Sequence, residues 1–318
     1  MSIPASAKYA IIQETNGRAG NLLNIKWLCA VAGVSRSGYY HYLAAEKLRQ
    51  EREEKDRLDF AQILEAYRFR GCDKGARGIY MRLAHLDPPA IMNLKKIRRL
   101  MKKYGLKCPI RKANPYRRMA KALKTAYTAP NLVNREFEAH GPRAVLLTDI
   151  TYIINGKTPR CYMSTIIDGC TKELLAWALS KSLEIDFVLE TVNQLVEKHG
   201  ISLNAETILH SDQGAHYTSA KFVDLVKDSE LRQSMSRRAN CWDNAPQESF
   251  YGHMKDEIDL SGCVCFDDIY EAVSRWTDYY NNERYQWDLA KLAPREYYDY
   301  LITGKYPLPI PKPKGFVE

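Results

Sequence analysis

At Arg143 the hydrophobic pattern of this chain changes period, and that change restricts the folds open to it. Before it, apolar residues recur at helical spacing; after it, short β-rich runs alternate with amphipathic stretches. The second part opens with a β-rich run at 144–154, a hairpin signal at Asn155-Gly156, and two more strands at 161–167 and 174–179. A helix at 185–198, a short strand ending at Leu209 or His210, a helix at 219–228, a strand at 231–235 and a helix at 244–258 follow. Periodicity alone predicts an α/β unit: a mixed sheet with flanking helices.

The first part reads as small helical units. A helix at 24–32 is broken by Gly33, and Ser35 is placed to cap a second helix carrying Arg36, Tyr39, Tyr40 and Tyr42. This turn resembles a helix-turn-helix, which would set Arg36 against DNA; a plain helical hairpin fits the same pattern. Next come a charged helix at 50–69, a turn at 71–75, and a helix at 76–86 stopped by Asp87-Pro88-Pro89. In the following segment Ile91, Leu94, Ile97, Met101 and Tyr104 keep helical spacing, with Lys95, Lys96, Arg98, Arg99, Lys102 and Lys103 between them. That pattern is an amphipathic helix with a basic outer face, as a second small DNA-binding domain would have.

The charge distribution sharpens this expectation. Fourteen Lys and Arg residues lie between Asp87 and Glu136 without one Asp or Glu, while the rest of the chain has fewer bases than its 38 acids. The whole net charge of +9 therefore sits in one block. A solvated helix face or free arm is the bland reading; a polyanion partner, whose counterions binding would release, is the functional one. Within the block, 107–143 lacks periodicity and reads as a linker, with Arg111, Lys112, Arg117, Arg118, Lys121 and Lys124 laid along DNA.

Other classes are excluded by composition. With 45% hydrophobic and 27% charged residues the chain is an ordinary soluble protein. The apolar stretch at 22–34 is too short for a membrane span and contains Lys26, and no signal-peptide form precedes it, so a cytoplasmic location is expected. Eight scattered cysteines without a Cys-x-x-Cys pair read as reduced thiols.

Three carboxylates carry the chemistry. Asp149, Asp212 and Glu248 stand in the phrases LLTDITYI, LHSDQGAHYTS and NCWDNAPQESFYGHMKDE, and thirty-five residues lie between the last two. The predicted elements place them mid-strand, just after a strand, and near a helix start. Converging carboxylates repel one another, which divalent cations relieve. Hard oxygen ligands without a thiol pair favour Mg²⁺ or Mn²⁺, and two such ions suit displacement at phosphorus. Val145 and Leu147 share the strand face of Asp149, while Leu146, Thr148 and Ile150 point the other way. Gly214 offers a tight turn beside Asp212, Asn244 and Gln247 read as a capping box, and Pro246 fits a first helical turn. Lys255, two turns beyond Glu248 and about 10 Å along the axis, faces the same side and can hold a DNA phosphate. Phe250, Met254 and Ile258 form the opposing apolar stripe. Asp168 and Asp243 read as surface groups or caps, and His210 and His216 as structural neighbours of Asp212.

These phrases, together with SRSGYYHYL, IRRLMKKYGL and YNNERYQWDLAKLAPREYY, span most of the chain. In them it resembles the OrfB-type transposases of bacterial insertion-sequence family three, whose DDE catalytic core is similar to retroviral integrase. The resemblance implies a ribonuclease-H-like mixed five-stranded sheet, preceded by small all-α helix-turn-helix-type domains. It makes Asp149, Asp212 and Glu248 the catalytic metal-binding acids and Lys255 a DNA contact. It also implies cleavage of element ends and strand transfer by 3′-OH attack, on end and target DNA. A homo-oligomer is expected, with an OrfA partner or an OrfA–OrfB fusion possible in such a family. Two departures stand out. Leu146 replaces a frequent Trp, a packing change; Ala239 replaces a frequent Gly, which costs about 1 kcal/mol if the loop needs positive φ.

The organisation expected is a helix-turn-helix-like segment at 1–48, a second helical DNA-binding domain at 49–106, and a basic linker at 107–142. The catalytic core follows at 143–262, then a helical extension at 263–304 and a Pro-rich tail at 305–318. An inactive DNA-binding relative and a nuclease that hydrolyses without joining are the rival readings.

Overall fold

A computed structural model describes residues 3–71, 74–108, 129–133, 136–154, 160–236 and 244–311. Arg111, Lys112, Arg117, Arg118, Lys121, Lys124, the Asn155-Gly156 signal, Ala239, Asp243 and the end of the Pro-rich tail lie outside the described residues.

The first helical unit has three helices, one more than the sequence pattern indicates. Helix α1 (Ala5–Asn16) packs on α2 (Ile25–Ala32) and α3 (Arg36–Ala44) around Ile12, Leu28, Cys29 and Tyr39. The local signals work as expected: the Asn24 side chain accepts from Trp27 N–H, and Ser35 Oγ accepts from Gly38 N–H. Gly33 closes α2 at a left-handed φ of 65°, where a side chain would be strained. Tyr39 is core, whereas Tyr40 and Arg36 are exposed.

The second unit comprises α4 (Glu46–Arg68), α5 (Ala76–Ala84) and α6 (Leu94–Lys103), closed over Ile63, Ile79, Leu83, Ile97 and Leu100. The basic face of α6 is divided in two. Arg99 makes paired 2.7 Å bonds to Asp56, Lys103 bonds Glu53 and Asp56, and Lys96 pairs with Asp59, all on α4. Lys95, Arg98 and Lys102 are exposed and make no ion pair among the described residues.

Downstream, strands β1 (Val145–Ile153), β2 (Cys161–Asp168), β3 (Leu174–Ser180), β4 (Ile208–Ser211) and β5 (Arg232–Met235) form one sheet in the order β3-β2-β1-β4-β5. The first three pair antiparallel; β4 joins β1, and β5 joins β4, in parallel. Helices α7 (Asp186–His199) and α8 (Ala220–Asp228) cover the face bearing Leu146 and Ile150. Helices α9 (Ala245–Glu257) and α10 (Phe266–Asn282) cover the face bearing Val145 and Leu147. The alternation expected of a strand buried on both sides is thus present, and the mixed five-stranded sheet with flanking helices is the ribonuclease-H-like arrangement. Leu146, in place of Trp, is fully buried on the α7–α8 side.

Helix α11 (Pro294–Thr303) completes the described elements. Asp168 corrects the sequence reading. It caps its turn, Oδ1 accepting from Cys170 N–H, but it is fully buried and its Oδ2 lies 2.9 Å from Arg143 Nη1. Arg143 also bonds Glu173 at 2.6 Å and packs under the Tyr298 ring of α11. Isolated carboxylates usually face water; this one is held inside by a guanidinium. Cys29, Cys161, Cys170 and Cys263 are buried and form no disulfide, in line with the reduced thiols expected. Among the described residues no helix is long and apolar enough to cross a membrane.

Candidate active site

The three carboxylates come from three elements. Asp149 sits in β1 two residues beyond Leu147, the last residue of that strand paired with β4. Asp212 follows directly after Ser211, which ends β4, and Glu248 lies in the first turn of α9. β1 and β4 are neighbours, and α9 packs over β1, so the topology brings distant parts of the sequence together.

Their electrostatics show the convergence. The Asp149 carboxyl is raised to about 8, first because water is stripped from it, then by the charge of Asp212. Glu248 pushes in the same direction, while Ile150 N–H, donating at 2.8 Å, and the charge of Lys255 pull it down. Asp212 is also raised, chiefly by desolvation, against the Gly214 N–H that donates to its Oδ1 at 2.8 Å. Asp149 and Asp212 make no ion pair among the described residues. Gly214 is needed here for space rather than for unusual φ: a Cβ would lie 2.8 Å from that same Oδ1.

Lys255 is on the same helix as Glu248 and is felt by Asp149, as the spacing indicates. It borders a cavity of about 450 Å³ with Tyr152, Ile153, Ile154, Met254, Ile258 and Leu260. Phe250, Met254 and Ile258 turn into the core. His210 bridges Ser234 and Ser236 at 2.9 and 3.0 Å, tying β4 to β5 and its exit, and His216 contacts Leu183 O at 2.8 Å. Both are structural contacts.

The expected capping box does not form. Asn244 makes no side-chain cap, and Gln247 is fully buried, donating instead to Thr165 Oγ1 on β2. Pro246 occupies the first turn as expected. A residue at the third helical position satisfies a cap only if its face is solvent-side, and this one faces the sheet.

The site fits a hard cation by donor chemistry: three carboxylates, no thiol, and mutual repulsion recorded in the elevated Asp149. Among the described residues, however, no group of three or more His, Cys, Asp or Glu side chains is already gathered to hold a metal.

Known proteins resemble the chain in the same regions. Two models described as "Integrase core domain" match residues 139–241 and 229–294, and one described as "HTH-like domain" matches 53–114. The chain is 32% identical over 273 residues to the putative transposase InsK of insertion sequence element IS150 from Escherichia coli K12, covering 85% of this chain and 92% of that one. The chain belongs to the integrase-core transposases of insertion-sequence family three. A 31 kDa protein of insertion element IS600 from Shigella sonnei is 30% identical over 271 residues, covering 84% of the transposase described here and 96% of its own length. Among solved structures, the catalytic core of BIV integrase aligns with a TM-score of 0.41 and 16% identity, over 52% of the transposase and 99% of the integrase core.

Sequence reasoning missed several residues around the site of this transposase. Glu257, at the end of α9, is held by Arg284 through Nε and Nη2 at 2.9 and 2.8 Å. Burial pushes Glu257 up, but the Arg284 guanidinium outweighs it and the net shift is downward. Asn281 pairs with both N–H and C=O of Leu174 on β3, Tyr280 OH donates to Lys172 O at 3.0 Å, and Glu283 pairs with Arg70 of the helical unit. The YNNER phrase is thus a junction between sheet, catalytic helix and helical unit. No local spacing rule connects such positions. The one available signal was Gln247 and Tyr251 at i, i+4, which share a helix face.

Proposed function

We propose that this transposase cuts the end of an insertion element and joins the freed 3′ hydroxyl to another phosphodiester by direct attack, with Asp149, Asp212 and Glu248 as the catalytic carboxylates. The observation that carries this reading is Asp149, whose carboxyl is pushed up first by burial and then by the charges of Asp212 and Glu248, and which makes no ion pair among the described residues. A carboxylate cluster left in that state is suited to an external cation. Mg²⁺ or Mn²⁺, two ions per site, would be held by Asp149, Asp212 and Glu248 and would supply Lewis acidity at phosphorus when bound.

The protein's own contribution is placement. Asp149 stands on the central strand of the sheet, paired with Thr165 of β2, and Asp212 directly follows the end of the parallel neighbour β4. Glu248 and Lys255 share one helix, so a strand held at Lys255 by phosphate lies alongside the carboxylates. No protein nucleophile is required; the attacking oxygen belongs to water or to DNA.

The helical units at 1–48 and 49–106 and the segment at 107–142 supply the DNA grip in this reading. Arg36, Lys95, Arg98 and Lys102 face outward, and Arg111, Arg117, Arg118, Lys121 and Lys124 are further bases we assign to DNA from the sequence; Arg99 is engaged by Asp56 and reaches DNA only if that pair opens. Two ends must meet, so the acting form is a homo-oligomer on end and target DNA, working with an OrfA partner or as an OrfA–OrfB fusion at the bacterial nucleoid.

The test is a labelled element-end duplex incubated with target DNA and Mg²⁺. Joined products are the expected result. Cleavage without joining would mean a ribonuclease-H-like nuclease, and DNA binding without metal-dependent cleavage would mean an inactive relative.

A further inference from the structure

Under the catalytic centre runs a chain of hydrogen bonds that uses no charge. Tyr251, one helical turn after Glu248, donates its hydroxyl proton to the main-chain carbonyl of Asp149 at 2.6 Å. The Tyr251 hydroxyl oxygen lies 2.7 Å from Thr165 Oγ1, and Gln247, the residue before Glu248, donates its amide to that threonine. Thr165 and Gln247 are fully buried and Tyr251 is nearly so. Thr165 is also the direct cross-strand partner of Asp149 in the β1–β2 register.

The direction of the chain follows from counting protons. The single Tyr251 proton goes to the carbonyl, so Thr165 must donate to the Tyr251 oxygen, and the Gln247 amide fills the threonine's acceptor. Every member is used once. Asp149 lies beyond the last β1–β4 pair, where the strand has lost a neighbour on that side. Helix α9 is bonded to the backbone of β1 and to β2 at this level, through residues on both sides of Glu248.

We infer that Tyr251 is a positioning residue, which with Thr165 and Gln247 sets the separation of Glu248 from Asp149 and so the fit of the site for a divalent cation. This rests on the reading of Asp149 and Glu248 as the metal-binding acids. Asp212 is outside the device, since its carboxylate is held by its own turn through Gly214. The lash grips main chain and neutral hydroxyls and uses no carboxylate oxygen. Its loss therefore changes geometry without changing the charge of the site. Tyr251→Phe keeps the ring that packs on Phe250 and removes only the hydroxyl.

The experiment measures Mn²⁺ binding to the full-length protein without DNA, by electron paramagnetic resonance titration, beside end-DNA affinity and single-turnover joining. Tyr251→Phe is expected to weaken Mn²⁺ binding and slow joining at saturating DNA by about tenfold to a hundredfold, the usual effect of removing an outer-shell partner. Its DNA affinity should match the wild type. Thr165→Val should reproduce the loss and Thr165→Ser recover most of it, which a merely structural role would not separate. Glu248→Gln is run in parallel. If it abolishes joining while Tyr251→Phe and Thr165→Val bind Mn²⁺ and join as wild type does, the positioning role is wrong and the catalytic assignment stands. If Glu248→Gln joins normally, the catalytic assignment itself has failed.

Discussion

Two sets of carboxylates on one sheet are treated in opposite ways. Asp168 and Glu173 are fully buried and share the buried guanidinium of Arg143, and Glu257 is clasped by Arg284. Asp149 and Asp212 have no ion pair among the described residues, and both are pushed up rather than down. Removing water from a carboxylate is unfavourable wherever it happens. Where the group only holds the fold together, the chain answers with an arginine from its own sequence. Where, in the function proposed, the group meets a cation from outside, the cost is left standing, moderated at Asp149 by the charge of Lys255.

The largest expected effect tests the paired set. Arg143→Ala would remove the guanidinium that two buried carboxylates share, leaving Glu173 only Arg295 at 3.9 Å, and should lower unfolding free energy by about 3–5 kcal/mol in denaturant titrations. Glu257→Gln should cost roughly 2–3 kcal/mol at neutral pH for the same reason. Its pH dependence has a definite sign. The folded pKa is depressed, so the Glu257 contribution is present above its unfolded value and is lost as pH falls through the folded one; the variant's stability should be flatter in that acid range.

Asp149 should behave in reverse. Its folded pKa of about 8 lies above the unfolded value of 3.8, so the wild type without metal is favoured below pH 4 and loses stability as pH rises toward 8. Asp149→Asn should remove that loss, stabilising the metal-free protein at pH 8 by several kcal/mol, while abolishing joining. A destabilised variant would break the contrast between the two sets.

The smallest effects divide the basic helix. Arg99→Ala removes an exposed pair to Asp56 and should cost less than about 1 kcal/mol in thermal unfolding, with the salt dependence of DNA binding unchanged. Replacing Lys95, Arg98 and Lys102 together by Ala should leave stability alone and lower the slope of log affinity against log salt by about 2 to 3. Equal slopes in both variants would mean that the outward stripe of α6 does not touch phosphate.

Much of the sheet was legible because its signals are local. The period-2 alternation of Val145 to Ile150 and the acids in their phrases fix strand faces within a few residues. Helix α1 was missed because it contributes only Ile12 as a fully buried residue and depends on α2 and α3 for its partners. Gln247 was misread because Asn-x-x-Gln satisfies a capping rule, whereas burial against Thr165 decides its role. Arg284 with Glu257, and Arg143 with Asp168, were unreadable for a simpler reason. A guanidinium finds its carboxylate through the fold, and nothing in either local sequence announces the partner. The assignment of Asp149, Asp212 and Glu248 came from their phrases; the contrast with the arginine-paired acids came only from the structure.

The most direct measurement is single-turnover strand transfer of a labelled element end by the wild type and by Glu248→Gln and Asp212→Asn, with fold and DNA affinity checked alongside. Both variants should bind the end as the wild type does and yield no joined product, a loss of at least about a thousandfold, since a carboxylate that would hold the catalytic cation has become a neutral amide. Joined product from Glu248→Gln at the wild-type rate would contradict the claim that Asp149, Asp212 and Glu248 together do the chemistry.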